Sequence, residues 1–160
     1  MKKLLLPLAA LSIIAACNNS KEDKKHEDHT GHKKEIPATK QDSLMADVMA
    51  GHDAVMPKIG TVKTAQKEAQ RLMDSISRLP AKAQDAAAGV KAQLQTLIND
   101  LNYADFAMDK WMVEFGMDSL KDNIEERIKY LADEKMKVGK VKDAILNSLA
   151  KADSLLKKKF

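Results

Sequence analysis

The sequence predicts an all-α protein: an up-down-up antiparallel three-helix bundle, coiled-coil-like in its packing, that follows a flexible N-terminal segment. From about Gln41 onward, apolar residues recur at alternating steps of four and three, which places them on one face of a helix. The same spacing and an aromatic content of only 4% disfavour strands. Helices of similar length joined by short connections bury their apolar faces when neighbours run antiparallel.

Residues 1–16 have the composition of a secretory signal peptide. Lys2 and Lys3 precede an apolar run of about 13 residues, which is shorter than the roughly 20 residues that a helix needs to span a bilayer. Cleavage removes two basic residues, so the mature chain carries 25 basic and 23 acidic residues and is close to neutral. With so little net charge and few aromatic residues, we expect no nucleic-acid partner.

The sequence Ile14-Ala15-Ala16-Cys17 resembles the lipobox of bacterial lipoproteins. In such proteins the signal peptide is cleaved before the cysteine, which then carries a diacylglycerol and an acylated amino terminus. The resemblance implies lipidation of Cys17 and attachment to a membrane of the cell envelope, because two or more acyl chains anchor a protein stably. Since Cys17 is the only cysteine, we expect no intramolecular disulfide.

Residues 17–40 form the predicted tether. Apolar side chains are almost absent from it, so it cannot bury enough surface to fold, and as a coil it would span roughly 25 Å. Three histidines at intervals of three, interleaved with carboxylates, form a secondary candidate site for zinc, nickel or copper(II): His26, His29 and His32. The alternative interpretation is a solvated polar spacer without bound metal.

The first predicted helix covers residues 41–79 and ends before Pro80. Pro57 lies inside it and removes one backbone donor. Because Met56 would be a poor N-cap for a new helix, we expect a kink at Pro57 rather than a break. The predicted core-facing seam has two polar insertions and comprises Val48, His52, Val55, Ile59, Val62, Gln66, Ala69, Met73 and Ile76.

The second predicted helix covers residues 82–115 and has the most regular seam. It runs through Ala83, Ala87, Val90, Leu94, Leu97, Leu101, Ala104, Met108, Trp111 and Phe115. We expect Gly116 to end this helix in a left-handed C-terminal cap.

The third predicted helix covers residues 119–158, with Asp118 or Ser119 as its N-cap. Its C-terminal lysines suit the negative end of the helix dipole. Its predicted seam comprises Leu120, Ile124, Leu131, Val138, Val141, Ile145, Leu149 and Ala152.

One end of the predicted bundle is rich in methionine. Antiparallel alignment about Pro80 brings His52 level with Met108 and Trp111. Thioether and imidazole groups suit copper(I), so this end is a candidate metal site formed by Met49, His52, Met56, Met108 and Met112. The alternative is that these methionines fill an irregular core around the tryptophan.

We expect no enzymatic activity and predict no catalytic residues. The folded region has a single histidine, and the sequence contains no glycine-rich phosphate loop and no HExxH zinc-protease motif.

Two blocks, HDAVMPKIG at residues 52–60 and AMDKWMVEF at residues 107–115, resemble small helical bacterial lipoproteins often labelled viral A-type inclusion protein. The resemblance covers most of the folded region and implies a helical fold and lipoprotein status, but no activity. Ser20-Lys21-Glu22-Asp23 also resembles a signal that directs some lipoproteins to the outer face of the outer membrane, although ordinary tether composition explains it equally well. Asn18 is not the aspartate associated with inner-membrane retention in some bacteria, so we expect residence in the outer membrane, on its periplasmic or its surface face.

The sequence leads to one main hypothesis for function. It is a non-enzymatic envelope lipoprotein whose helical faces bind a protein partner or support an envelope assembly. The alternative is a periplasmic or surface metal-binding module with a copper(I)-type site. A further hypothesis, contact of the lysines at 157–159 with anionic lipid, depends on one short run of charge.

Overall fold

A computed structural model describes residues 39–157 of the chain. This part contains five α-helices and one 3-10 turn, and no strand: α1 (Lys40–Asp53), the turn Met56–Lys58, α2 (Ile59–Ser77), α3 (Ala81–Ala86), α4 (Ala88–Glu114) and α5 (Ile124–Leu156). The prediction of an all-α helical bundle is confirmed. The predictions for the signal peptide, for Cys17 and for His26, His29 and His32 lie outside the described residues.

The first leg of the bundle, formed by α1 and α2, runs antiparallel to α4. The ring of His52 lies beside that of Trp111, with centroids 5.7 Å apart. Further along the leg, Lys63 Nζ lies 3.6 Å from Asp105 Oδ1. Residue numbers therefore increase along the first leg in the direction in which they decrease along α4, as antiparallel packing requires.

The third leg, α5, runs parallel to the first. Lys135 Nζ lies 2.8 Å from Asp47 Oδ2. One turn further along, a Cβ built on Gly51 would lie only 2.9 Å from Cγ1 of Val138. Residue numbers increase in the same direction along α1 and α5, so the two helices are parallel. This gives the expected up-down-up order.

The seams of the three legs meet in one core. Every seam position predicted on the first two helices is buried or half-buried, including the two polar insertions. Gln66 is accommodated because its side-chain amide donates to the carbonyl of Leu101 at 3.2 Å. The largest fully buried side chains are Leu94, Leu97, Leu101, Met108, Leu131 and Ile145, followed by smaller ones on the first leg and on α5.

The expected kink at Pro57 is wrong: the first leg is interrupted. α1 ends at Asp53, and the chain passes through the 3-10 turn Met56–Lys58 before α2 begins. Pro57 lies in the first turn of this element, where a missing N–H costs nothing because it would have no intrahelical partner. Met56 therefore does not need to cap a new helix. Val55, which lies between α1 and the 3-10 turn, remains fully buried, so the interrupted segment still packs against the core.

The other predicted helix limits also shift. The helix expected over residues 82–115 is divided at Ala87 into α3 and α4. The third helix begins not near residue 119 but at Ile124, with the side chain of Asn123 accepting from the backbone N–H of Glu126 at 3.2 Å. No described glycine has a positive φ, so Gly116 does not form the expected left-handed cap.

Within residues 39–157, none of the helices combines the length and the apolar character needed to cross a membrane.

Candidate functional site

The predicted methionine-rich end centres on His52 and Trp111, which the structure brings together as the alignment predicted. His52 lies in the last turn of α1 and is half-buried, and its Nδ1 is 2.8 Å from Oδ1 of Asp53. Its ring is tilted by 35° against that of Trp111, which is buried in the core. This contact between α1 and α4 fills the end of the bundle with aromatic surface.

Two more aromatic rings extend this contact into a column, which we call the aromatic column: His52, Trp111, Phe115 and Tyr130. The rings of Trp111 and Phe115 are stacked with centroids 4.9 Å apart, and those of Phe115 and Tyr130 are 6.3 Å apart and nearly parallel. Pairs of this kind contribute about 0.5–1.5 kcal/mol beyond their buried area. The column therefore joins all three legs of the bundle.

A buried carboxylate lies beside the column. Glu134 accepts a hydrogen bond from Trp111 Nε1 at 2.9 Å through one oxygen and from Lys137 Nζ at 2.9 Å through the other. Hydrogen bonds from Lys137 to Asp133 and to Glu134 raise the pKa of the lysine well above its ordinary value. Both oxygens of this carboxylate thus have partners, which a buried charge requires.

The five predicted copper(I) ligands lie at different depths. Met108 is fully buried, Met49 and His52 are half-buried, and Met56 and Met112 are exposed. Met56 does not continue the face of α1, because it begins the 3-10 turn. In the part of the chain that the structure describes, no group of three or more His, Cys, Asp or Glu residues is placed to hold a metal. The copper(I) site, whose ligands are mainly thioethers, stays a prediction.

The connection between α4 and α5, residues 115–123, is the apical loop, and two α5 side chains fix its path. Arg127, which is buried, donates to the carbonyl of Ser119 at 2.5 Å and to that of Met117 at 3.0 Å. The hydroxyl of Tyr130 accepts from the N–H of Gly116 at 2.8 Å. A Cβ on Gly116 would lie 2.1 Å from Oγ of Ser119, so only glycine can occupy this position without a rearrangement. The loop is tightly anchored.

The anchored loop nevertheless points apolar side chains outward. Met117, Leu120 and Ile124, the first residue of α5, are 57%, 45% and 66% exposed. Leu120 has φ 59°, a left-handed conformation that costs a non-glycine residue about 1–2 kcal/mol. The seam prediction for Leu120 and Ile124 is therefore wrong: both lie beyond the core.

A second apolar surface lies on the outer side of α4. Tyr103, Phe106 and Val113 are 61%, 62% and 86% exposed. Steps of three and seven place these residues on one face of the helix, opposite the buried Leu101, Ala104 and Met108. We call this face the outer α4 stripe.

The apolar pattern of the sequence predicts neither of these two surfaces and none of the buried polar residues. The predicted seam contained apolar positions of α5 only. It therefore left out Arg127, Glu134 and Ser148, which are polar but buried. A strict alternation of four and three along α5 would have found them, since positions 127, 131, 134, 138, 141, 145, 148 and 152 continue it without a gap. The outer stripe also follows helical spacing, but on the face away from the seam.

No protein-family model matches this chain, and no curated protein or solved structure matches it either. The likeness to the small helical lipoproteins labelled viral A-type inclusion protein therefore stays a resemblance.

Proposed function

We propose that this chain is a non-enzymatic lipoprotein of the cell envelope, anchored through lipid on Cys17, whose bundle binds a protein partner through the outer α4 stripe. The lipobox-like sequence Ile14-Ala15-Ala16-Cys17 supports the anchor. The outer membrane is the preferred location, from the resemblance of residues 20–23 to a surface-export signal.

The outer α4 stripe carries the proposal of a partner. Its three members expose most of their apolar surface to water on a helix whose opposite face already fills the core. Exposed aromatic side chains on a rigid element are typical anchors of protein interfaces. Their helical spacing suits a partner that offers an apolar helix face of its own.

Charge around the stripe adds a preference. Lys110 lies within the stripe and forms an ion pair with Glu114, and Asp109 lies beside it on the exposed surface. Acidic side chains thus outnumber basic ones on this part of α4. A partner helix with basic residues at its margins would bind faster than an acidic one.

Site-specific photo-crosslinking in membranes of the producing cell tests the partner. A photoreactive residue at position 106 should give a discrete adduct, whereas one at Met136, which is 61% exposed on α5, should give none. Excess unlabelled bundle should compete for the adduct, and a Tyr103→Ser/Phe106→Ser/Val113→Ser bundle should not. Equal adducts from both positions, or equal competition by both bundles, would refute binding through the stripe.

The anchor is tested separately by mass spectrometry and fractionation. The purified chain should begin at Cys17 and carry acyl groups, and a Cys17→Ser variant should leave the membrane fraction. A chain that keeps residues 1–16, or that stays on the membrane without Cys17, would refute lipid anchoring.

A further inference from the structure

We propose that the apical loop is a membrane-contacting tip, which inserts Met117, Leu120 and Ile124 into the interface of the bilayer to which the chain is anchored. The inference rests on the proposed lipid anchor. It adds a second contact with the same membrane and assigns a ligand, the lipid surface, to a part of the bundle that the partner-binding stripe does not use.

The fold fixes the outward direction of these three side chains, because the loop backbone is held in place by α5. On α5, Arg127 donates hydrogen bonds to two loop carbonyls and the Tyr130 hydroxyl accepts one from a loop N–H. Gly116 permits the close approach of Ser119. Leu120 is held in a left-handed conformation with its side chain outward. Strained residues persist only when their surroundings determine them, and they concentrate at binding sites.

The position of the apical loop relative to the start of α1 also favours contact with the membrane. The apical loop leads into α5 at the end of the bundle where α1 begins. Because Asp47 pairs with Lys135 on a parallel helix, the start of α5 at Ile124 projects about 6 Å beyond the start of α1 at Lys40. The chain from Cys17 thus joins the bundle at the same end that carries the exposed apolar residues. If lipid on Cys17 anchors the chain, this is the end of the bundle at which the anchored segment enters.

Attachment of the chain to the membrane would make even a weak contact of the tip sufficient. Three partly exposed apolar side chains would hold a free protein on a membrane only weakly. A chain already attached to the membrane meets it at a high effective concentration, so the same contact becomes populated.

Charge determines which lipids the tip prefers. Between residues 113 and 127 five side chains are acidic and two are basic: Glu114, Asp118, Asp122, Glu125 and Glu126 against Lys121 and Arg127. The contact is therefore apolar, and anionic lipid weakens it by repulsion. Lys157, at the other end of α5, lies 3.1 Å from Asp153, and it is not part of the tip.

The test uses the single cysteine. The mature chain, residues 17–160, is coupled through Cys17 to maleimide lipid in phosphatidylcholine vesicles, which anchors it whether or not cells lipidate this residue. Methionine oxidation by a charged oxidant that stays in water, chloramine-T, is then followed by mass spectrometry. Met117 and Met136 are a matched pair, 57% and 61% exposed, so one molecule contains both probe and control.

We expect coupling to vesicles to slow oxidation of Met117 by about threefold or more and to leave Met136 unchanged. A Leu120→Asn/Ile124→Gln variant should lose this protection, and asparagine tolerates the left-handed backbone at position 120. The matched control, Leu79→Gln/Leu146→Gln, removes exposed apolar residues elsewhere and should keep it. Replacing a third of the lipid with phosphatidylglycerol should reduce it.

The reference sample is the same chain coupled through Cys17 to a soluble maleimide polymer. Equal oxidation of Met117 in the vesicle-coupled and polymer-coupled chains would overturn the proposal, and would leave the apical loop as a surface for protein. Protection that survives in the Leu120→Asn/Ile124→Gln variant would also overturn it, because it would reflect crowding at the vesicle surface. Neither result depends on natural lipidation, so failure of the tip and failure of the lipid anchor remain distinguishable.

Discussion

The indole N–H of Trp111 donates to Oε2 of Glu134 at 2.9 Å, which places a hydrogen bond from α4 to α5 inside the buried end of the bundle. An apolar seam alone tolerates sliding of one helix along another by a turn or a heptad. A directional bond between two buried side chains exists in one register only, so this pair defines how α4 and α5 are aligned.

Trp111→Phe should destabilise the protein by at least about 1–3 kcal/mol, because one oxygen of buried Glu134 loses its partner and the smaller phenyl ring leaves part of the indole site empty. Urea denaturation followed by circular dichroism measures the change. The double variant Trp111→Phe/Glu134→Leu has no unpartnered carboxylate oxygen. Its decrease in the free energy of unfolding should therefore be smaller than the sum of the decreases in the two single variants. Additive losses would show that the bond does not couple the two residues.

Gly51→Ala should destabilise the bundle, although alanine favours helices. The added Cβ would meet Cγ1 of Val138 at 2.9 Å, and valine on a helix has little rotamer freedom to yield, so the net loss is about 1–2 kcal/mol. Gly139→Ala is the matched control: nothing lies within 4 Å of its Cβ, and it should stabilise α5 by about 0.5–1 kcal/mol. Thermal or urea unfolding compares them, and a gain from both would contradict the close approach of α1 and α5.

The pKa of Asp118 should lie below its ordinary value of 3.8, because Lys121 donates to its carboxylate and the charges of Lys121 and Arg127 favour ionisation. A lowered folded-state pKa adds stability above the unfolded-state pKa, and this contribution disappears as pH falls through the folded-state value. The small contribution of this exposed ion pair to stability should therefore be lost as the pH falls below about 4. NMR titration of the side-chain carboxyl measures the pKa.

Lys121→Met should return the pKa of Asp118 toward 3.8. The same variant should leave the pKa of Glu68 lowered, because that shift comes from Arg71 in α2. If the pKa of Asp118 did not change, its ion pair with Lys121 would not exist in solution.

Copper(I) titration of residues 41–160, by competition with a chromophoric chelator, should show no stoichiometric binding. The candidate thioethers of Met56, Met108 and Met112 differ in depth, and Met56 and Met112 face solvent. All core residues lie between Val48 and Leu155, so this fragment keeps the whole core. A His52→Leu/Met56→Leu variant should likewise take no copper(I) from the chelator. Stoichiometric binding by the parent that is weaker in this variant, with altered Trp111 fluorescence in the parent, would establish the metal module instead.

Spacing of apolar residues was enough to predict the three legs, their order and nearly all of the core on the first two. It also brought His52 to Trp111, because antiparallel packing about a known turn leaves little freedom in the register. Local patterns carry this information, since each residue reports the face of its own helix.

The features that the apolar spacing did not predict depend on contacts with other helices or with the apical loop. Glu134 is buried only because Trp111 and Lys137 satisfy it, and Arg127 only because the loop carbonyls turn toward it. Val55 stays fully buried at the break near Pro57, as its seam position predicted, but the apolar pattern does not distinguish such a break from the expected kink. Polar residues at seam positions therefore mark the places where the sequence is informative but a tertiary partner must be known.

The interruption between α1 and α2 has a mechanical consequence. α1 contributes one buried residue, Val48, whereas α2 contributes five, and the helical hydrogen-bond ladder does not continue between them. Tension applied through the N-terminal segment is therefore carried first by the contacts of α1 with α5, including the ion pair of Asp47 with Lys135. If such tension pulled α1 off α5 and extended its 14 residues, the N-terminal connection would lengthen by about 30 Å before the hydrogen-bond ladder of α2 was loaded.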